Sequence, residues 1–154
     1  MTDLEKIILD YKNQLELGII SGLKIKITKN YHNLIIAGMG GSVVSSYLLK
    51  QLTSEISLKN KKKIFIIEDF ENNSLAQFDV KNSLLIISSY SGNTQETLTI
   101  FKEALKRKFR MIVLTNGGKL EKLAAKANLN IYKIIDSPSP RYSSFYLLGV
   151  FTAI

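Results

Sequence analysis

Residues 84–97 read Leu-Leu-Ile-Ile-Ser-Ser-Tyr-Ser-Gly-Asn-Thr-Gln-Glu-Thr. The opening apolar run, Leu84–Ser89, is short and bounded by turn residues, which predicts a buried strand. After the turn, Thr94–Lys108 carries Leu98, Phe101 and Leu105 at helical spacing. A strand apolar along its whole length is covered on both faces. The same unit recurs in both directions. Asn33–Met39 predicts a strand, followed by a helix over Ser42–Leu52 with Val44, Leu48 and Leu52 in register. Ile64–Glu68 predicts the next strand, after a lysine run (Lys59, Lys61, Lys62, Lys63) expected to be a solvated turn. Met111–Thr115 is a fourth strand, turning through Asn116-Gly117-Gly118 into a helix over residues 119–127. Ile131–Ile135 is a fifth strand; Pro138 and Pro140 then break the chain, and Tyr142–Ile154 predicts a final helix. At the other end, Leu4, Ile7, Ile8, Tyr11, Leu15 and Ile19 predict an amphipathic helix over residues 3–20, with Gly18 and Gly22 loosening its end. Parallel strands joined by right-handed helical crossovers make an α/β three-layer sandwich, a five-stranded parallel sheet flanked by helices.

Composition bounds the chemistry. At 154 residues a single domain is expected, 1–154, and a chain of that size buries about 68–70% of its unfolded surface. Cysteine is absent, which excludes a disulfide scaffold, a thiol nucleophile and a Cys-ligated metal. His32 is the single histidine, which argues against a multi-His metal site or an imidazole-based triad. The net charge of +8 rests on lysine, with arginine only at Arg107, Arg110 and Arg141. A nucleic-acid reader draws more on the guanidinium fork, so nucleic acid is not the expected partner. No apolar stretch approaches the ~20 residues of a membrane helix, and Met1–Asp10 lacks the apolar core of a signal peptide. A soluble, cytoplasmic protein without membrane contact is expected.

In a doubly wound sheet, ligands bind at the carboxyl ends of the strands. Three loops there carry polar or special residues. Gly38-Met39-Gly40-Gly41-Ser42 follows the first strand. Its glycines allow close backbone approach, and Ser42 is placed to cap the next helix and offer a hydroxyl. A dinucleotide fingerprint is poorly matched, because Val43 stands where a third glycine belongs. Nor is it a P-loop, since no Gly-Lys-Ser/Thr follows; a plain tight turn would account for the glycines alone. Ser88-Ser89-Tyr90-Ser91-Gly92-Asn93-Thr94 follows the third strand. Hydroxyls beside helix N-terminal amides suit a phosphate. Simple capping competes: Thr94 at the N-cap puts Thr97 at N3, while Asn93 there would put Glu96 at N3 and resemble a capping box. Capping accounts for one or two of these residues, not for the whole turn. Ser137-Pro138-Ser139-Pro140-Arg141 follows the fifth strand and presents a rare arginine at a helix start, an unfavourable place for a cation.

Together GMGGS, SYSGNTQET and Pro-Arg resemble the sugar isomerase (SIS) domain, over about residues 30–154. The wording is most similar to the N-terminal domain of archaeal-type bifunctional phosphoglucose/phosphomannose isomerases. The resemblance implies a flavodoxin-like core at 30–154 with an N-terminal helical extension at 1–29, as the first half of a two-domain enzyme. It implies that Gly40, Gly41 and Ser42 lie beside a bound sugar phosphate and that Ser89, Ser91, Gly92 and Thr94 hold its phosphate. Arg141 would be catalytic, stabilising the cis-enediolate of aldose–ketose exchange between fructose 6-phosphate and glucose or mannose 6-phosphate. No cofactor or metal is implied.

That reaction also needs a general base. In the resembled family a glutamate, a histidine and a lysine beyond the matched region serve the proton transfers. Here His32 precedes the first strand, at the wrong end of the sheet, and Glu96 would repel a phosphate. The chain is therefore expected to bind but to turn over weakly or not at all. Helix 142–154 is apolar nearly all round, so a homodimer partner or a second SIS domain is expected to cover it. Two alternatives stand beside this expectation: a single-domain 6-phospho-3-hexuloisomerase-like enzyme, and a non-catalytic sugar-phosphate sensor.

Overall fold

The structure is a computed structural model that describes residues 5–6, 9–27, 30–55, 62–68 and 75–154. Five strands form one parallel sheet: β1 (Asn33–Gly38), β2 (Lys63–Ile67), β3 (Ser83–Ser89), β4 (Arg110–Thr115) and β5 (Ile131–Tyr132). Helices fully within the described residues accompany them: α1 (Tyr11–Leu23), α2 (Val44–Glu55), α3 (Gln95–Lys106), α4 (Gly118–Lys126) and α5 (Ser144–Ala153). Short 3-10 turns at Gly40–Ser42 and Pro140–Ser143 lead into α2 and α5. The strand order is β2-β1-β3-β4-β5, so the direction of winding reverses between β1 and β3. This is the expected three-layer α/β sandwich.

Strand alternation sorts the core into two faces. Leu34, Ile36, Leu84, Ile86, Ile112 and Leu114 meet α5 and Leu49 of α2. Ile35, Ala37, Leu85, Ile87, Met111 and Val113 meet Leu98, Phe101 and Ala104 of α3 and Leu120 of α4. The central strands are buried on both faces, which is why they read as unbroken apolar runs.

Several expectations are corrected. The fifth strand stops at Tyr132 rather than Ile135, because side chains take over from the ladder. Asn116 Oδ1 accepts the Ile134 N–H at 2.8 Å, and Tyr146 donates its hydroxyl to the Lys133 carbonyl at 3.0 Å. The last α-helix starts at Ser144, since Pro140–Ser143 closes a 3-10 turn first. Glu5, Lys6 and Leu9 are helical as expected, and after a turn at Asp10 the helix α1 runs over Tyr11–Leu23, past the expected end at residue 20; Leu4, Ile7 and Ile8 lie outside the described residues. Gly18 and Gly22 do not loosen it. They are buried where α1 meets α5: a Cβ on Gly18 would lie 2.1 Å from the Tyr146 carbonyl oxygen, and one on Gly149 2.3 Å from that of Leu15. Tyr11 and Phe145 stack across the same seam at 4.4 Å.

This packing removes the reason for expecting a partner on helix 142–154. Tyr146, Leu147, Leu148, Gly149, Val150 and Phe151 are all buried within the chain, between the sheet, α1 and α2. Exposed apolar side chains lie instead on α2, at Val44, Tyr47, Leu48 and Leu52, and on α1, at Leu17, Ile19, Ile20 and Leu23. Of the lysine run, Lys59 and Lys61 lie outside the described residues. Lys62 is not merely solvated. Its ammonium donates to Tyr31 Oη (2.7 Å) and to the Ile154 carbonyl (2.9 Å), which Tyr31 also reaches at 2.8 Å. A cation and a hydroxyl thus meet the carbonyl end of α5, where the helix dipole is negative.

Candidate functional site

A parallel sheet puts every strand's carboxyl end at one edge, and the following helices start there. The N-termini of α2, α3, α4 and α5 therefore gather above β1, β3, β4 and β5. Free N–H groups and dipole ends give this edge a positive character without a charged side chain. The crevice of a 2-1-3-4-5 sheet lies between β1 and β3. Gly38 and Ser88, the last paired positions of those strands, sit there side by side; a Cβ on Gly38 would be 2.4 Å from the Ser88 carbonyl oxygen.

The β3 turn is built on its own hydroxyls. Ser89 is 2% exposed, and its Oγ accepts the Gly92 N–H at 3.2 Å and lies 3.3 Å from Thr94 Oγ1. Exposed Ser91 accepts the Asn93 N–H at 3.2 Å. Gly92 turns the chain at φ +64°, where a Cβ would strike the Gly117 carbonyl oxygen at 1.8 Å. A serine that accepts a backbone N–H still holds its own proton for donation. Ser91 can direct that proton outward, and one proton of the Ser89–Thr94 pair is likewise free for an oxyanion. Thr94 is the N-cap of α3 yet makes no side-chain cap bond, so the first N–H groups of the helix lack a side-chain partner. The capping box that Asn93 and Glu96 would form is absent: Asn93 instead donates to the Ser91 carbonyl (3.1 Å) and accepts the Lys119 N–H (3.1 Å).

The other loops lean on this turn. Ser42, 4% exposed in its 3-10 turn, accepts the Tyr90 N–H at 3.3 Å. Gly40, at φ +53°, has open space around the place a Cβ would take. Gly41 is pressed on the β5 loop, where a Cβ would stand 2.7 Å from the Arg141 nitrogen. Arg141 itself is exposed. Ser45 donates to the Ser144 carbonyl and Ser144 donates to the Arg141 carbonyl at 2.6 Å, which locks the 3-10 turn onto α2.

The chain is similar to known proteins over most of its length. A bifunctional phosphoglucose/phosphomannose isomerase of Aquifex aeolicus is 32% identical over 150 residues, 97% of this chain and 44% of that protein. A glucose-6-phosphate isomerase of Methanocaldococcus jannaschii is 31% identical over 137 residues, 82% of this chain and 33% of that protein. The chain is thus related along most of its length to phosphoglucose/phosphomannose isomerases, and its fold is that of a sugar isomerase (SIS) domain. No family model matches it; the kinship rests on these relatives. The chain spans less than half the length of the curated relatives it matches. Among solved structures, the tagatose-6-phosphate ketose/aldose isomerase of Escherichia coli shares the fold at TM-score 0.56 and 16% identity, over 93% of this chain and 45% of that one. The sugar isomerase domain of a Sphaerobacter thermophilus transcription factor does so at TM-score 0.57 and 13% identity, over 97% and 86%.

In this SIS domain the loops holding Gly40, Gly41, Ser42, Ser89, Ser91, Gly92, Thr94 and Arg141 come together at one edge. Ser88 does not join them. It faces the α5 side of the sheet, fully buried and with no hydrogen-bond partner among the described residues. His32 is exposed at the opposite edge, where its N–H pairs with the Asn82 carbonyl. Sequence reasoning missed the β4 loop. Asn116 donates its N–H to the Tyr90 carbonyl at 3.1 Å, and a Cβ on Gly118 (φ +71°) would meet the Ser91 carbonyl oxygen at 2.3 Å. Asn-Gly-Gly after a strand signals a turn, but nothing in it says which turn it supports.

Among the described residues, the carboxylates near this edge are mostly engaged. Glu121 pairs with Lys133 at 2.6 Å, and Asp136 accepts from Tyr90 at 2.9 Å. Glu68 accepts the Tyr47 hydroxyl at 2.6 Å; that hydrogen bond, with burial and the carboxylate's charge, holds the Tyr47 phenol above its ordinary range. Glu96 stands in the first turn of α3, beside the hydroxyl turn.

Proposed function

We propose that this domain binds a sugar 6-phosphate at the β1–β3 edge and forms the binding half of a cytoplasmic aldose–ketose isomerase acting on fructose, glucose and mannose 6-phosphates. The observation that carries the proposal is the β3 turn. Its hydroxyls accept backbone N–H groups and so keep protons to donate, directly over an uncapped helix N-terminus. Thr94 and Ser91 take the phosphate oxygens, with Ser89 behind them. Gly40 and Gly41 leave room for the sugar, and Ser42 borders it. Arg141 comes from the opposite side as a fixed positive charge for the developing enediolate.

Relatives of more than twice this length bear the isomerase names, so the complete reaction draws on protein beyond these loops. We place the general base there, in a second SIS domain or a second copy of this chain, because among the described residues the carboxylates at this edge are paired or stand beside the phosphate turn. Titration calorimetry with fructose 6-phosphate, run beside an assay for glucose and mannose 6-phosphate formation, tests this. Binding without turnover is the expected result. Absence of binding overturns the proposal, and robust turnover by the chain alone overturns the placement of the base.

A further inference from the structure

Tyr90 is the member of the SYSGNT turn that phosphate binding leaves without a task. It is half-buried against the α5 face of the core and reaches three other loops. Its N–H donates to Ser42 Oγ (3.3 Å) and its carbonyl accepts from Asn116 (3.1 Å). At the far end of the ring, its hydroxyl donates toward Asp136 Oδ1 (2.9 Å) and the Ser137 carbonyl (2.8 Å) and accepts the Ser137 N–H (3.0 Å). The sheet no longer holds the chain there, since β5 ended at Tyr132.

From Ser137 to Arg141 the link is short and stiff. Pro138 and Pro140 fix φ, Ser137 Oγ donates to the Ser139 carbonyl at 2.9 Å, and Tyr142 N–H donates to the same carbonyl at 2.9 Å. The Arg141 side chain has no anchor of its own. Its side chain is exposed and makes no hydrogen bond or ion pair among the described residues. Its backbone beside the Gly41 turn is therefore set from two sides, by the Ser45–Ser144 lock on its 3-10 turn and by what holds Asp136 and Ser137.

We propose that Tyr90 is a positioning residue for Arg141: its hydroxyl ties the Asp136–Ser137 segment to the phosphate turn and so, with the Ser144 lock on the 3-10 turn, sets the backbone from which the guanidinium reaches the ligand. This rests on the sugar-phosphate reading of the site. It couples the two ends of the ligand: a sugar phosphate held at Ser91 and Thr94 meets Arg141 in register, whereas inorganic phosphate has no sugar to present.

The test is titration calorimetry with fructose 6-phosphate and with inorganic phosphate on the wild-type chain, Tyr90→Phe, Arg141→Ala and the double variant. Tyr90→Phe is expected to weaken fructose 6-phosphate about tenfold, the scale of one hydrogen-bonded positioning contact. It is expected to leave inorganic phosphate within about twofold and to add nothing beyond that to Arg141→Ala, as coupled sites do. Equal weakening of both ligands marks general damage and overturns the assignment. Unchanged fructose 6-phosphate affinity in Tyr90→Phe, or additivity with Arg141→Ala, overturns it too, and either leaves the sugar-phosphate reading standing. A wild-type chain that binds neither ligand overturns that reading and this one together. Should Tyr90→Phe fail to fold, Asp136→Ala, an exposed change that removes one partner of the hydroxyl, decides by the same ratio.

Discussion

The hydroxyls of the β3 turn act in two directions at once. Ser91 shapes the turn as an acceptor and keeps its proton for a ligand. Thr94 occupies an N-cap without capping, an arrangement that leaves both its hydroxyl and the helix amides for an anion. Replacing Ser91 and Thr94 together by alanine removes two charge-assisted hydrogen bonds of about 1.5–3 kcal/mol each. Fructose 6-phosphate affinity should then fall about a hundredfold or more in calorimetry, with the circular dichroism spectrum unchanged. Tyr47 gives a second check at this scale. Its phenol is raised because the neutral form donates to Glu68, so the bond is present below the ordinary phenol range and lost as pH rises through the folded value. In Glu68→Gln the Tyr47 titration, followed by ultraviolet absorbance, should move down toward about 10, the ordinary value.

Between α1 and α5, glycine replaces side-chain interdigitation with backbone contact. Gly18 and Gly22 stand four residues apart on one face of α1, and Gly149 meets that face from α5. Gly18→Ala gains helix propensity yet drives a Cβ into the Tyr146 carbonyl, so the helices must separate. A net loss of about 1–3 kcal/mol is expected in urea unfolding, against less than about 0.5 kcal/mol for Ile20→Ala on the exposed side of the same helix. At the other end of α5, Lys62→Met removes the ammonium from the Ile154 carbonyl and from the face of the Tyr31 ring, 4.2 Å from its centroid. About 0.5–1 kcal/mol should be lost, less at high salt.

For the whole molecule, the carboxyl edge of the sheet is a meeting of loops that hydrogen-bond to one another through Tyr90, Gly92 and Asn116. Ligand binding there should stabilise the fold by mass action, by about 2.7 kcal/mol when fructose 6-phosphate stands at a hundredfold its dissociation constant. A rise in melting temperature with fructose 6-phosphate, absent in the Ser91→Ala, Thr94→Ala double variant, is the expected outcome of a thermal-shift titration. Among the described residues no helix is long and apolar enough to cross a membrane.

The residues by themselves determined the layer architecture. Buried parallel strands must be apolar on both faces, so Leu34–Ala37, Leu84–Ile87 and Met111–Leu114 announce themselves without any partner in view. The hydroxyl turn was legible for a similar reason, since Ser, Gly, Asn and Thr crowd one place where a strand hands over to a helix. Side-chain chemistry at a single turn is local and leaves a local trace. Only the tertiary structure decided what crosses between elements. Helix 144–153 is apolar all round whether a partner or α1 covers it; that α1 does so depends on Gly18, Gly22 and Gly149 meeting across more than a hundred residues. The Asn116–Gly118 turn and the Tyr90 hydroxyl carry no motif, because most of their partners are backbone groups, and every residue but proline offers the same N–H and C=O. Which of those groups lies within 3 Å of Tyr90 is a property of the folded edge alone.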